Sequence, residues 1–406
     1  MPSETIELRG HIIDSLILPK VLDEIIARGS TFKIGEIRIG EQRTDQSFAR
    51  IEVTAPGADE LDQLILRLRQ HGAEVTERKS VQLAAAPADG VYPQGFYVTT
   101  NQQTFVQLER GEVEVQPALM DSAIVVDPAA KRARATKFYD VKKGMEIVVG
   151  HQGIRVVPLQ RSTARADVFE LMSSVSIERP KSAVIREMAR EFKRSREEHG
   201  RILVVGGPAI VHTGAAEHFE KLINWGYIQL LFAGNALAAQ DIENALFGTS
   251  LGVNLEPGDL AHQGTQNHMR AINAIRGAGG IRPAVASGLL KRGIMYTCVK
   301  NNVDFVLAGS ISDDGPLPDV ITDAVEAQKA MRAKLEGVTI AMMMGTMLHS
   351  IAVGNLLPAT VKKLCIDINP GVVTRLTERE SFQAVGLVTD IEPFLRELTN
   401  FIEEDR

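Results

Sequence analysis

The second half of the chain repeats one unit, and that unit leaves few folds open. Short apolar runs at Arg201–Val205, Ile228–Ala233, Asp304–Ala308, Thr339–Met343, Lys363–Ile368 and Gly386–Thr389 alternate with stretches of helical periodicity. A strand that is apolar at nearly every position is buried on both faces, and parallel sheets achieve this by placing a crossover helix on each side. The pattern predicts an α/β fold: a Rossmann-like, doubly wound parallel sheet. An amphipathic helix over Pro180–Glu198 leads into it, with Ala183, Val184, Met188 and Phe192 on one face and Lys193, Arg194 and Arg196 on the other.

The first half changes period. Residues 5–77 read as β-α-β-β-α-β, with strands at Thr5–Ile13, Phe32–Ile39, Phe48–Val53 and Ala73–Val75 and helices at Leu16–Arg28 and Asp59–His71. That order is the ferredoxin-like α+β pattern, most simply a structural or oligomerising module. Ala84–Gly95, rich in Ala, Pro and Gly, reads as a linker. Strand-like segments follow at Tyr97–Thr100, Gly111–Val115, Ala123–Val126, Met145–Val149 and Ile154–Val157, which predict a small β domain. The expected division is a ferredoxin-like domain over residues 1–82, a small β-rich domain over 92–176 and the Rossmann-like domain over 177–406.

Composition narrows the partners. Lys+Arg 45 against Asp+Glu 51 leaves a net charge of −6, without the basic footprint of a nucleic-acid binder, although Lys131, Arg132 and Arg134 form a local basic group. Two cysteines, Cys298 and Cys365, with no CxxC or His/Cys cluster, argue against a metal site and against a disulfide framework. The opening MPSETIELRG lacks the form of a signal peptide, and apolar runs such as Ile340–Met344 fall far short of the ~20 residues that span a bilayer. A cytoplasmic protein without a membrane partner is expected.

Ligands of doubly wound sheets bind at the carboxyl ends of the strands. Here those ends lead into Gly206-Gly207-Pro208 and His212-Thr213-Gly214; Gly234-Asn235-Ala236; Gly309-Ser310-Ile311-Ser312-Asp313-Asp314-Gly315-Pro316; Gly345-Thr346-Met347-Leu348-His349-Ser350; Asp367-Ile368-Asn369-Pro370; and Thr389-Asp390. Glycine lets a backbone approach a phosphate, a helix N-terminus favours its charge, and an Asp at a strand end suits ribose hydroxyls. Singly, each loop is a tight βα turn; together on one edge they predict a nucleotide-type ligand. The usual GxGxxG fingerprint is missing, because Gly206-Gly207-Pro208 does not fit it. Three residues could move protons: His349, beside a helix start that would lower its pKa, and the adjacent Asp313 and Asp314, which also fit plain turn chemistry. His212, His262 and His268 are further candidates, while both cysteines lie in apolar stretches and read as core thiols.

Several stretches resemble the archaeal-type ornithine cyclodeaminases, whose N-terminal part carries the LOR/SDH region. They are Gly234–Ala238, Gly248–Gly252, Ala308–Ile311, Asp313–Pro318, Thr346–Asn355 and Cys365–Pro370. The same modules form the C-terminal part of cyanobacterial arginine dihydrolase/ornithine cyclodeaminases. The resemblance implies NAD+ used catalytically, L-ornithine as substrate, and L-proline and ammonia as products. It also implies cofactor contacts from Asn235, Ala236, Asp313, Thr346, Met347, Leu348, His349, Asp367, Thr389 and Asp390, to which the strand-end loops add Gly234, Ser310 and Asn369. Asp313, Asp314 and His349 are the catalytic candidates, and a homo-oligomer is expected. Two departures stand out: Ser312, where the family pattern has Arg, and Arg375–Ser381, where it has a Lys-Leu-x-Asp-Arg-Gly-Ser-like run. An NAD(P)-dependent amino-acid or opine-type dehydrogenase, and a non-catalytic NAD- or amino-acid-binding regulator, are the alternatives.

Overall fold

The structure, a computed structural model, describes residues 2–13, 16–40, 45–75, 80–109, 111–157, 181–250, 253–254, 264–313, 315–378 and 384–404. The chain divides into two units, Met1–Glu170 with Asn355–Ala359, and Leu171–Gly354 with Thr360–Arg406.

The first unit opens with β1 (Ser3–Gly10), α1 (Ile17–Ala27), β2 (Thr31–Arg38), β3 (Ser47–Thr54), α2 (Ala58–Gln70) and β4 (Glu74–Val75). Their antiparallel order, β2-β3-β1-β4, is ferredoxin-like. Ile17, Leu18, Val21 and Ile25 form one buried stripe of α1, packed with Ile6, Leu8, Ile51 and Val53 of the sheet. The edge strand β2 leaves Ile34 and Ile37 exposed, because it has a neighbour on one side only.

Two small sheets follow. One has the order β5 (Gln82–Ala85), β10 (Glu146–Val149), β8 (Ala123–Asp127), β9 (Arg132–Thr136); the other β11 (Ile154–Val157), β6 (Gln103–Leu108), β7 (Gly111–Glu114). Strand β5 occupies the start of the expected linker. Tyr97–Thr100 is not a strand: it is tied down by Tyr97 N–H to the Val148 carbonyl and Thr99 N–H to the Ser122 carbonyl. Strands β6 and β9 escape a hydrophobicity search because polar residues fill their outer faces; Arg132 and Arg134 belong to β9.

The second unit runs α3 (Lys181–Glu197), β12 (Arg201–Gly206), α4 (Ala209–His212), α5 (Ala216–Asn224), β13 (Leu230–Gly234), α6 (Asn235–Phe247), β14 (Thr249–Ser250), β15 (Val253–Asn254), α7 (Gly264–Ala278), α8 (Ile281–Ala286), α9 (Ile294–Lys300) and β16 (Asp304–Ala308). It continues with β17 (Val320–Ile321), α10 (Ala324–Ala333), β18 (Val338–Met344), α11 (Met347–Gly354), β19 (Lys362–Asp367), α12 (Pro370–Glu378), β20 (Ala384–Val388) and α13 (Ile391–Glu404). Seven strands form one parallel sheet in the order β17-β16-β13-β12-β18-β19-β20. Leaving aside the short edge strand β17, this is the 3-2-1-4-5-6 order of a doubly wound fold, and its direction reverses between β12 and β18. Ile202–Val205, Leu230–Ala233 and Ile340–Met344 are all buried, as two covered faces require.

Candidate nucleotide and active site

Because these strands are parallel, the loops after them share one edge of the sheet. At the reversal point the backbones after β12 and β18 touch. A Cβ on Gly207 would stand 1.9 Å from the Gly345 carbonyl oxygen, so only glycine fits there. Gly345 itself has φ +60, and a Cβ there would meet Ile391 Cδ1 at 2.8 Å.

Helix α11 starts two residues later, so His349 lies within its first turn rather than just before the helix. Its Nδ1 is 3.0 Å from Thr346 Oγ1, and the Ser350 hydroxyl donates to the Thr346 carbonyl. The other side of the ring faces β13: a Cβ on Gly234 would stand 2.9 Å from His349 Cε1 and 3.6 Å from Nε2. Burial holds the His349 pKa below the ordinary imidazole value, and the Asp313 carboxylate opposes that shift. The lowering matches the sequence expectation, but burial leads it.

Asn235 opens α6, and its buried Oδ1 accepts the Leu317 N–H at 3.0 Å, tying α6 to the loop after β16. Within that loop Asp313 Oδ2 accepts the Ser310 N–H at 2.8 Å, and Ser310 Oγ lies 3.0 Å from Ser312 Oγ. Asp314 lies outside the described residues, as do His262 and the Arg379–Ser381 part of the departing run. Asp367 ends β19, where its Oδ1 accepts the Asn369 N–H at 2.8 Å and its carbonyl accepts the Thr389 N–H at 3.1 Å. Asn369 Oδ1 accepts the Gly371 N–H at 2.9 Å in the first turn of α12, and the Asp390 carbonyl accepts the Phe394 N–H of α13. The structure thus gathers Gly234, Asn235, Ala236, Ser310, Asp313, Thr346, Met347, Leu348 and His349 with Asp367, Asn369, Thr389 and Asp390 on one edge.

Sequence reasoning missed one feature of this edge. The three most exposed large apolar side chains among the described residues are Ile311, fully exposed, Leu348 at 74% and Ile368 at 70%. Each follows a different strand of the sheet: Ile311 in the loop after β16, Leu348 in the first turn of α11 after β18, and Ile368 directly after β19. Leaving such side chains in water is unfavourable, and their convergence on polar groups is the composition of a ligand site. The signal was an apolar residue embedded in each polar loop.

These residues fit a dinucleotide: glycines that permit close backbone approach, helices α6 and α11 opening at the edge, a carboxylate ending β19, and apolar platforms for planar rings. Among the described residues no His/Cys/Asp/Glu group is able to hold a metal, and no helix is long and apolar enough to cross a membrane. Cys298 and Cys365 are both buried, and burial pushes the Cys298 thiol pKa up, away from a reactive thiolate.

Fold and site together define a Rossmann-type dinucleotide-binding enzyme domain. A family described as arginine dihydrolase ArgZ-like, C-terminal, Rossmann fold matches residues 186–398. The LOR/SDH bifunctional enzyme conserved region matches 3–102, and the ArgZ-like C-terminal first region matches 103–185. The chain is 51% identical over 405 residues to the ornithine cyclodeaminase of Methanocaldococcus jannaschii, covering 98% of this chain and 96% of that one. It is 39% identical to the bifunctional arginine dihydrolase/ornithine cyclodeaminase AgrE of a Nostoc species, covering 99% of this chain and 58% of AgrE. Among solved structures, apo ArgZ aligns with a TM-score of 0.86 at 36% identity, over 99% of this chain and 58% of that one. The ternary complex of AgrE with ornithine and NAD+ aligns with a TM-score of 0.54 at 38% identity, over 100% of this chain and 59% of that one. The chain belongs to the ArgZ-like C-terminal family that includes the archaeal ornithine cyclodeaminases, and it spans about three fifths of the cyanobacterial proteins.

Proposed function

We propose that this protein is an ornithine cyclodeaminase that converts L-ornithine to L-proline and ammonia with NAD+ used catalytically. The observation that carries the reading is the convergence of Ile311, Leu348 and Ile368 with Asp313, His349 and Asp367 on one sheet edge. The near full-length identity to archaeal ornithine cyclodeaminases supports it. NAD+ held by these loops would supply a reversible hydride acceptor for Cα, the chemistry that lets the δ-amine replace the α-amine at that carbon.

Cofactor contacts are assigned to Gly234, Asn235, Ala236, Ser310, Asp313, Thr346, Met347, Leu348, His349, Asp367, Asn369, Thr389 and Asp390. Asp367 accepts from the adenosine ribose hydroxyls, while Ile311, Leu348 and Ile368 pack on the planar rings. His349 is neutral near pH 7 because of its burial, so it can take the proton that the α-amine loses as the hydride leaves. Asp313 stabilises the resulting imidazolium, and Asp314 is the second carboxylate of that loop. The domain division at 1–82, 92–176 and 177–406, assembly as a homo-oligomer through the N-terminal module, and residence in the cytoplasm belong to the same proposal.

The test is an assay of purified protein with L-ornithine and catalytic NAD+. Proline and ammonia are expected in equal amounts without accumulation of NADH. Net NADH from another amino acid, with no proline, would instead establish a dehydrogenase; neither product would leave a regulator.

A further inference from the structure

A second group of polar side chains lies in the same unit, outside the loops assigned above. Glu243, on the third turn of α6, is fully buried. Its Oε1 accepts the Thr249 hydroxyl at 2.8 Å, and its Oε2 lies 3.1 Å from His268 Nδ1. Asn267 Nδ2 donates to Thr249 Oγ1 at 3.2 Å. The next residue of β14, Ser250, has its Oγ 3.0 Å from His212 Nδ1. Burial lowers the His212 pKa, and the Glu243 carboxylate opposes that shift.

Two imidazoles are therefore gripped at Nδ1, His268 by Glu243 of α6, which itself accepts from Thr249 of β14, and His212 by Ser250 of β14, and neither Nε2 has a hydrogen-bond partner among the described residues. Packing α6 against α7 does not need this arrangement, because burying a carboxylate costs several kcal/mol that an apolar contact avoids. A carboxylate holding one ring nitrogen of a histidine orients the other for proton transfer. The cluster also borders the reversal point: His212 ends α4, a single turn about 6 Å long, and α4 begins two residues after the Gly207 that presses on Gly345.

We propose that His268, positioned by Glu243, carries the proton during ring closure, with His212 as the second imidazole of the same cluster. The assignment rests on the cyclodeaminase reading. Once the neutral δ-amine has formed its bond to the imine carbon, the ring nitrogen bears a proton in excess and the former α-amino nitrogen lacks one. His268 Nε2 accepts the first proton and delivers it to the α-amino nitrogen. The Cα–N bond then breaks, ammonia leaves with the bonding pair, and the ring nitrogen's lone pair closes the cyclic imine. The imidazole ends as it began. Glu243, Thr249 and Asn267 are positioning residues in this scheme.

The experiment uses the full chain with NAD+ and L-ornithine. Wild type is assayed first; if it forms no proline, the cyclodeaminase reading fails before the histidine is tested. In His268→Ala, overall turnover should fall about a hundredfold. Reduced nicotinamide should still form rapidly in a single turnover and then persist, because hydride loss precedes the blocked step. Added imidazole should restore turnover, and NAD+ affinity by calorimetry should match wild type. His268→Gln, which preserves size and can donate to Glu243, should show the same persistent reduced signal should the alanine variant fold poorly. Glu243→Gln should show a milder form of it. Near wild-type turnover in His268→Ala, or loss of the rapid reduction phase together with turnover in both His268 variants, would overturn the proposal.

Discussion

Gly234→Ala isolates the contact between β13 and the His349 ring. Gly234 has φ −87 and ψ 167, an extended conformation open to any residue, so the substitution adds a methyl group without backbone strain. The new Cβ would lie 2.9 Å from His349 Cε1, whereas carbon atoms settle at about 3.5 Å or more, so the ring must retreat by roughly 0.6 Å. Its Nδ1 is held by Thr346 Oγ1 at 3.0 Å on the far side of the ring, and a shift of that size spoils the geometry of this hydrogen bond. The lost hydrogen bond costs about 0.5–1.5 kcal/mol, and a displacement approaching 1 Å beside the reacting atoms costs up to about a hundredfold in rate. NAD+ affinity should fall about five- to tenfold, the equivalent of roughly 1–1.4 kcal/mol. Turnover should fall further. The melting temperature should move little, since the alanine offsets about 0.4–1 kcal/mol by restricting the unfolded chain. Calorimetry with NAD+, the proline assay and a thermal melt measure the three quantities. Wild-type affinity and turnover together would refute the placement of His349 against the cofactor.

Asp367→Ala should weaken NAD+ binding by about 1.5–3 kcal/mol, the range for hydrogen bonds to a charged group, and unchanged affinity by calorimetry rules the ribose role out. Asp241 concerns stability: fully buried on α6, it accepts the N–H groups of Ile294 and Met295 at the start of α9, each at 2.8 Å, and burial raises its pKa from 3.8 to about 7 despite those donors. The folded form then binds a proton that the unfolded form has released, so this contribution is fully present below about pH 4 and is lost as pH rises through about 7. Asp241→Asn should flatten that part of the pH dependence of the urea midpoint, and a variant slope equal to that of wild type refutes the raised pKa.

Local sequence determined the elements wherever burial leaves one choice of residue. Strands β12, β13, β16, β18, β19 and β20 are legible because two covered faces demand apolar side chains at nearly every position. The loops at Gly234, Gly309, Gly345 and Asp367 are legible because each directly follows such a strand, and parallel pairing then puts them on one edge. Strands β6 and β9 were not legible, since half-exposed strands carry polar residues that loops also use, whereas Tyr97–Thr100 has strand composition but no ladder to join. Only the tertiary structure decided the strand order with its reversal between β12 and β18, which comes from the hand and side of each crossover and has no local residue code. The same holds for contacts between segments far apart in the chain. Gly234 meets His349 and Glu243 meets His268 only after α6 has docked beside α7 and β13 has paired into the sheet, because a side chain's partner is set by packing rather than by its neighbours in sequence.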